Sequence, residues 1–166
     1  MACEAPRRTV DSLHAIDGQR RLRCMQETCM SHPPTLTHQH PLWKLEDSRA
    51  PVRDLDAALR FFTQVLGFTA TRVDHQSVRV VRDAAMLLLV QDASHDPATA
   101  GSCAWRTTDL AALRTELATT GAHPGAIEIR EHEGKPLHLF FVRESTNGYC
   151  FAFSQPGTTA SVPAAS

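Results

Sequence analysis

His38 and His40 are the first residues in the chain whose type and spacing could do chemistry, because paired neutral imidazoles can ligate a divalent metal. They lie in a leader, residues 1–41, that lacks hydrophobic periodicity and carries HPP and HQHP, so the pair reads as solvated side chains. Cys24 and Cys29 have no second pair at zinc spacing, and neither a Ser/His/Asp elbow nor a phosphate-binding glycine loop occurs. Cys103 and Cys150 read as small core or wall residues, since the sequence indicates no neighbouring base that would activate a thiol. Cations remain. Arg49 and Arg106 could together hold a carboxylate or phosphate through their forked donors. The alternative is equally open: both guanidinium groups are solvated, or pair with Asp47 and surface acids. His138 is either a cup residue or an exposed strand histidine.

These groups need elements to position them. The organising stretch is PVRDLDAALRFFTQVLGF, residues 51–68. A β-type segment ends at Val52, Asp54 can cap a helix, Leu55, Ala58, Leu59, Phe62, Val65 and Leu66 recur at helical spacing, and Gly67 stops them. Such a unit requires a sheet for its apolar face. Ala57-Ala58-Leu59-Arg60 recurs as Ala111-Ala112-Leu113-Arg114, and Gly67 as Gly121, both at an offset of 54, with Asp109 as the second cap. Strand-like runs follow each helix, at 69–73, 77–81 and 86–90 and again at 127–130, 137–142 and 149–154. One more precedes each helix, at about 45–53 and 102–107, and the polar linker 91–101 separates the halves. The predicted fold class is α+β: two βαβββ modules, about 42–91 and 102–156, whose mixed sheets curl into a cup with the helices on the outer faces. The leader 1–41 and a tail 157–166 rich in Pro, Ala, Ser and Thr flank this domain as flexible segments. Because Met30 stands just before SHPPTLTHQHP, an overextended reading frame is one account of the leader.

Alternation along the strands assigns the faces. In the last strand Tyr149, Phe151 and Phe153 fit the helix layer, leaving Cys150 and Ala152 toward the cup. In the second module's first strand Cys103 and Trp105 go inside and Ser102 and Arg106 face the ligand. In the first module Ala50 and Val52 go inside, leaving Asp47 and Arg49, while Leu87, Leu89 and Gln91 complete one wall. The expected ligand-binding floor is small and mostly apolar.

Composition narrows the partners. The net charge of −1 with scattered Lys and Arg gives no footprint for nucleic acid or an anionic membrane, and the apolar run 84–90 is too short to cross a bilayer. Five cysteines form no disulfide framework and no apolar signal-peptide core follows Met1, which fits a reducing, cytoplasmic setting.

The stretch V-x-D-L-D-A-A-L-x-F-F-x-x-V-L-G-F within residues 52–68 resembles the vicinal-oxygen-chelate superfamily, which includes glyoxalase I, extradiol dioxygenases and bleomycin-resistance proteins. VRVVRDAAMLLLV and TTDLAALRTELATTGA are similar to the family's following hairpin and second helix. FVRESTNGYCFAFSQP stands where members have F-x-V-x-Asp-Pro-Asp-Gly-Asn and the last strand; it keeps an acid, turn residues and glycine, loses the proline and carries one extra residue. The resemblance implies the fold, a homodimer that completes the cup, and four metal-ligand positions, which fall on Asp47, Leu89, Ser102 and Ala152. Three of these residues cannot ligate a divalent ion tightly. The expectation is therefore a small-molecule binding protein with neither metal nor other cofactor, similar to the drug-sequestering branch. The competing readings are a glyoxalase- or dioxygenase-type enzyme with a displaced metal site, and a non-catalytic scaffold or regulatory domain.

Overall fold

The Asp54 carboxylate accepts a hydrogen bond from the Ala57 N–H at 2.8 Å and starts helix α1, Leu55–Arg60. The structure, a computed structural model, describes residues 32–43 and 48–157. Asp109 caps helix α2, Leu110–Thr119, in the same way, accepting from Ala112 N–H at 2.9 Å. The two helices nevertheless differ by one residue. Beyond Arg60 the first continues as a π-helical turn, Phe61–Val65, closed by Leu66 N–H donating to Phe61 O at 3.0 Å. Both end on glycines in the left-handed region, Gly67 at φ 72° and Gly121 at φ 84°.

Burial fixes the true correspondence of the halves. Leu55, Ala58 and Phe62 face the core in the first segment as Leu110, Leu113 and Leu117 do in the second, an offset of 55, whereas the glycines match at 54. The AALR repetition thus aligns positions one residue out of register. The π turn absorbs the extra residue: Phe68 N–H closes back on Phe62 O, while Ala122 N–H closes on Leu117 O, one residue sooner.

Around the helices run nine strands among the described residues. Four form one sheet in the order β2-β5-β4-β3: β2 Arg49–Val52, β3 Thr69–Arg72, β4 Ser77–Arg82 and β5 Ala85–Gln91. The other sheet, β1-β6-β9-β8-β7, takes β1 Leu36–Trp43, β6 Ser102–Thr107, β7 Glu128–His132, β8 Lys135–Arg143 and β9 Cys150–Pro156. In each module the first and last strands pair in parallel and the rest antiparallel, as βαβββ units with mixed sheets require. Each helix lies against one face of its own sheet.

One core serves both modules. Phe62 of the π turn packs with its ring centroid 5.3 Å from Phe68 and 5.4 Å from Phe151, and Phe68 continues to Trp105 at 5.5 Å. Arg82 of β4 donates to Leu66 O at 2.6 Å and bridges Glu116 of α2 at 2.9 Å, a cation shared between halves.

Strand β1 corrects the expectation of little fixed structure up to residue 41, since residues 36–41 are paired. It runs antiparallel to β6, and Leu36 is fully buried. Its inward residue beyond the bulge is polar for a reason: Gln39 Oε1 accepts from the Trp105 indole N–H at 3.0 Å and from Met86 N–H at 2.9 Å, and its Nε2 donates to Ser48 Oγ at 2.8 Å. One amide therefore satisfies the buried indole and ties both sheets to β1.

The degraded turn Glu144-Ser145-Thr146-Asn147-Gly148 is a structural clasp. Glu144, buried, accepts from Thr146 N–H at 3.1 Å and Asn147 N–H at 2.7 Å. Asn147, with no exposed surface, accepts from Asp54 N–H at 3.1 Å and donates to Asp54 O at 3.3 Å. Gly148 sits at φ 81°, where a Cβ would stand 2.0 Å from Pro97 O, so no other residue fits. Asn147→Ala removes both bonds and strands the part-buried Asp54 amide; we expect a loss of about 2 kcal/mol in urea unfolding at unchanged slope. An unchanged midpoint would show that the clasp does not hold the helix.

Candidate functional site

The face of each sheet opposite its helix is the surface on which a ligand would lie. Register decides its membership. Ser102 pairs with Cys150, Ala104 with Ala152 and Arg106 with Ser154, so these side chains share the free face of the second sheet. Phe141 and Arg143 of β8, opposite Ala152 and Cys150, extend it. On the first sheet Arg49 pairs with Leu88, which puts Leu88 and Met86 on the free face and leaves Met86 44% exposed.

Two expected wall residues are elsewhere. Leu87 and Leu89 are fully buried: Ala50 pairs with Leu89, and Val78 and Val80 pair with Leu89 and Leu87, all pointing to the helix side. Gln91 is no wall residue either. Its Oε1 accepts from Leu55 N–H at 3.3 Å and its Nε2 donates to Arg53 O at 2.6 Å, so it seals the start of α1. Gln155 does the same for α2, accepting from Leu110 N–H at 2.9 Å and donating to Thr108 O at 3.0 Å. Arg49 and Arg106 sit on different sheets, and Asp47, Cys24 and Cys29 lie outside the described residues. His138 shares its parity with Phe140 and Val142, on the helix side.

The donor set does not fit a divalent metal. Of the four positions implied by resemblance, Ser102 offers a hydroxyl, Ala152 a methyl and Leu89 a core side chain. Among the described residues no three His, Cys, Asp or Glu groups converge. The thiols are poor nucleophiles as well. Burial pushes the Cys103 thiol up to about 12, against which a hydrogen bond with the Ala104 backbone is the smaller effect, and burial also raises Cys150 despite the nearby Arg143 cation.

A cavity of about 1000 Å³ opens where the free face of the second sheet reaches α1. Phe141, Arg143 and Cys150 form one side of it, and Arg60, Phe61 and Gln64 the other. Parity reasoning missed the helix side. The available signal was the length from cap to glycine, one residue greater in the first module than in the second.

Fold, register and residue pattern together define a protein of the paired βαβββ class. The chain belongs to the Glyoxalase/Bleomycin resistance protein/Dioxygenase superfamily, whose family model matches residues 39–153. Solved structures agree on the fold. A bleomycin resistance determinant encoded on the transposon Tn5 is 22% identical with a TM-score of 0.56, covering 66% of this chain and 95% of its own. A bleomycin-binding protein complexed with bleomycin is 23% identical with a TM-score of 0.56, over 64% and 93%. A glyoxalase/bleomycin resistance protein/dioxygenase from Alicyclobacillus acidocaldarius is 18% identical with a TM-score of 0.56, over 66% and 89%. No curated protein matches the chain in sequence. Among the described residues no helix is long and apolar enough to cross a membrane.

Tyr149 reports on the clasp beside this site. It is the chain's one tyrosine, buried, stacked on His95 at 5.6 Å, and its hydroxyl donates to Pro51 O at 2.6 Å. Burial, then the Glu144 and Asp92 carboxylates, raise its pKa above the ordinary 10.0. The stabilising contribution is therefore complete below the unfolded value and is lost as pH climbs through the folded one. Absorbance at 295 nm should show no phenolate in the native protein near pH 10, and ionisation only with unfolding; a reversible native titration at the ordinary value would contradict this environment. Cysteine alkylation mapped by peptide should likewise leave Cys103 unmodified until the fold is lost, whereas labelling of the native protein at neutral pH would refute its burial.

Proposed function

We propose that this protein binds a small organic molecule, aromatic or drug-like, and sequesters it as a homodimer without a resident metal or cofactor. The observation that carries the reading is the floor of the second sheet: Ser102, Ala104, Cys150 and Ala152 are small enough to leave room for a ligand and offer neither imidazole nor carboxylate. Sequestration asks only for shape and complementary polarity, and so suits such a floor. Superfamily membership supplies the frame, and the neighbour that binds bleomycin indicates a kind of ligand to try.

The first sheet's free face favours a partner. Met86 is exposed and Leu88 and Val90 are partly so, beside the exposed Arg49. A second copy laid across this face would bury its apolar surface and close a cup between two chains. The odd cysteine count, with Cys103 and Cys150 unpaired, supports a cytoplasmic setting.

Thermal unfolding against a panel of aromatic and glycopeptide compounds, bleomycin included, tests the reading. A ligand bound only by the native state, at a hundredfold excess over its Kd, should add about 2.7 kcal/mol. Light scattering should give twice the 18.3 kDa chain mass. Stoichiometric zinc, iron, manganese or nickel in the purified protein would overturn the metal-free reading in favour of an enzyme, and a monomer at assay concentrations would overturn the shared cup.

A further inference from the structure

The first helix contains a residue that the second does without, and the resulting π turn forms one side of a cavity. Phe61, Gln64 and Val65 all lie in that turn and all line the cavity beside β8 and β9. In α2, which reaches its glycine one residue sooner, the corresponding turn is ordinary helix. A single π turn inside an α-helix costs hydrogen-bond geometry and often marks a functional site. Here it sets the Phe61 ring at the cavity, half-buried and held by stacking on Phe151 at 6.0 Å.

From these observations we propose that the cavity is a binding site for an aromatic carboxylate. Two ring faces are on offer. Phe61 lies on the helix side and Phe141, half-buried and backed by the Arg130 guanidinium at 5.2 Å, on the strand side. The charge that remains uncompensated is positive. Glu128 is occupied by Arg130 at 2.8 Å, and Glu144 by the amides of Thr146 and Asn147 at 3.1 and 2.7 Å. Arg60 and Arg143 also line the cavity and are exposed, and their guanidinium groups make no hydrogen bond or ion pair among the described residues. His123 lines the cavity as well. A flat ring between Phe61 and Phe141 would bring a carboxylate within reach of forked donors. The site meets the proposed cup at Phe141, Arg143 and Cys150 and is distinguished from it by Arg60, Phe61 and Gln64, which belong to α1 and its π turn and to neither free face.

The test uses the full chain with 1-naphthoate as probe and 1-naphthalenemethanol as the neutral comparator, read by calorimetry and by chemical-shift changes. We expect 1-naphthoate to bind with a Kd of about 1 mM or tighter and the alcohol at least about tenfold more weakly. Arg60→Gln and Arg143→Gln should each weaken 1-naphthoate about tenfold, while Ala104→Trp, which fills the floor of the free face, leaves it unchanged. Ala104→Leu serves the same purpose if Ala104→Trp is unstable. The proposal is overturned by absence of binding, by equal binding of the alcohol, or by a probe that ignores both arginine variants and is lost on filling the floor. That last result would locate the probe in the cup and leave the proposed function standing without this site.

Discussion

A helix that begins where a buried strand ends has amide groups with no partner in the helix and little water to meet them. This fold solves that problem with side-chain amides. Gln91 and Gln155, at the ends of the last strands of the two modules, each accept from the first helical N–H and donate to a carbonyl just before the cap. In the first module Asn147 adds a third closure, holding both the N–H and the C=O of Asp54 from the far end of the chain. The arrangement couples helix position to strand register. Whatever the free faces bind, their geometry is set by these amides, because a helix that shifted along its sheet would leave part-buried polar groups unpaired.

Much of the architecture was legible in the sequence because local signals agreed with one another. Asp54 and Asp109 as caps, Gly67 and Gly121 as stops, and the strand at Ser102–Thr107 follow from propensity and periodicity. The failures have physical causes. The run from Ala84 to Val90 is apolar throughout, so it has no alternation from which to read a face; only its pairing with Ala50 turns Leu87 and Leu89 inward. Strand β1 was hidden because its inward position carries Gln39, whose polarity is explained only by the indole and amide it meets. The repeated AALR misled by one residue, since a π turn downstream permits the caps and the glycines to keep different offsets.

The chemistry of the site was legible in what it lacks more than in what it holds. Superfamily membership preserves a frame, while Ser102, Ala104, Ala152 and Cys150 on the second sheet's free face supply a hydroxyl, methyl groups and a thiol that burial makes harder to ionise, with Arg106, Phe141 and Arg143 beside them. The family turn shows the same division. Glu144, Asn147 and Gly148 each have a bond or a conformation to supply, and each of those tasks is mechanical.

The clasp also orders events in time. Asp54 and Asn147 lie 93 positions apart, so their contact closes a large loop and can form only after most of the chain is present. On a ribosome, the first module emerges complete in its own residues yet lacks the side chain that holds the N–H and C=O of its helix cap, Asp54, whereas the second needs nothing that has not already been made. The two halves, alike in pattern, are therefore unequal as folding units: the earlier one waits on the last turn of the later.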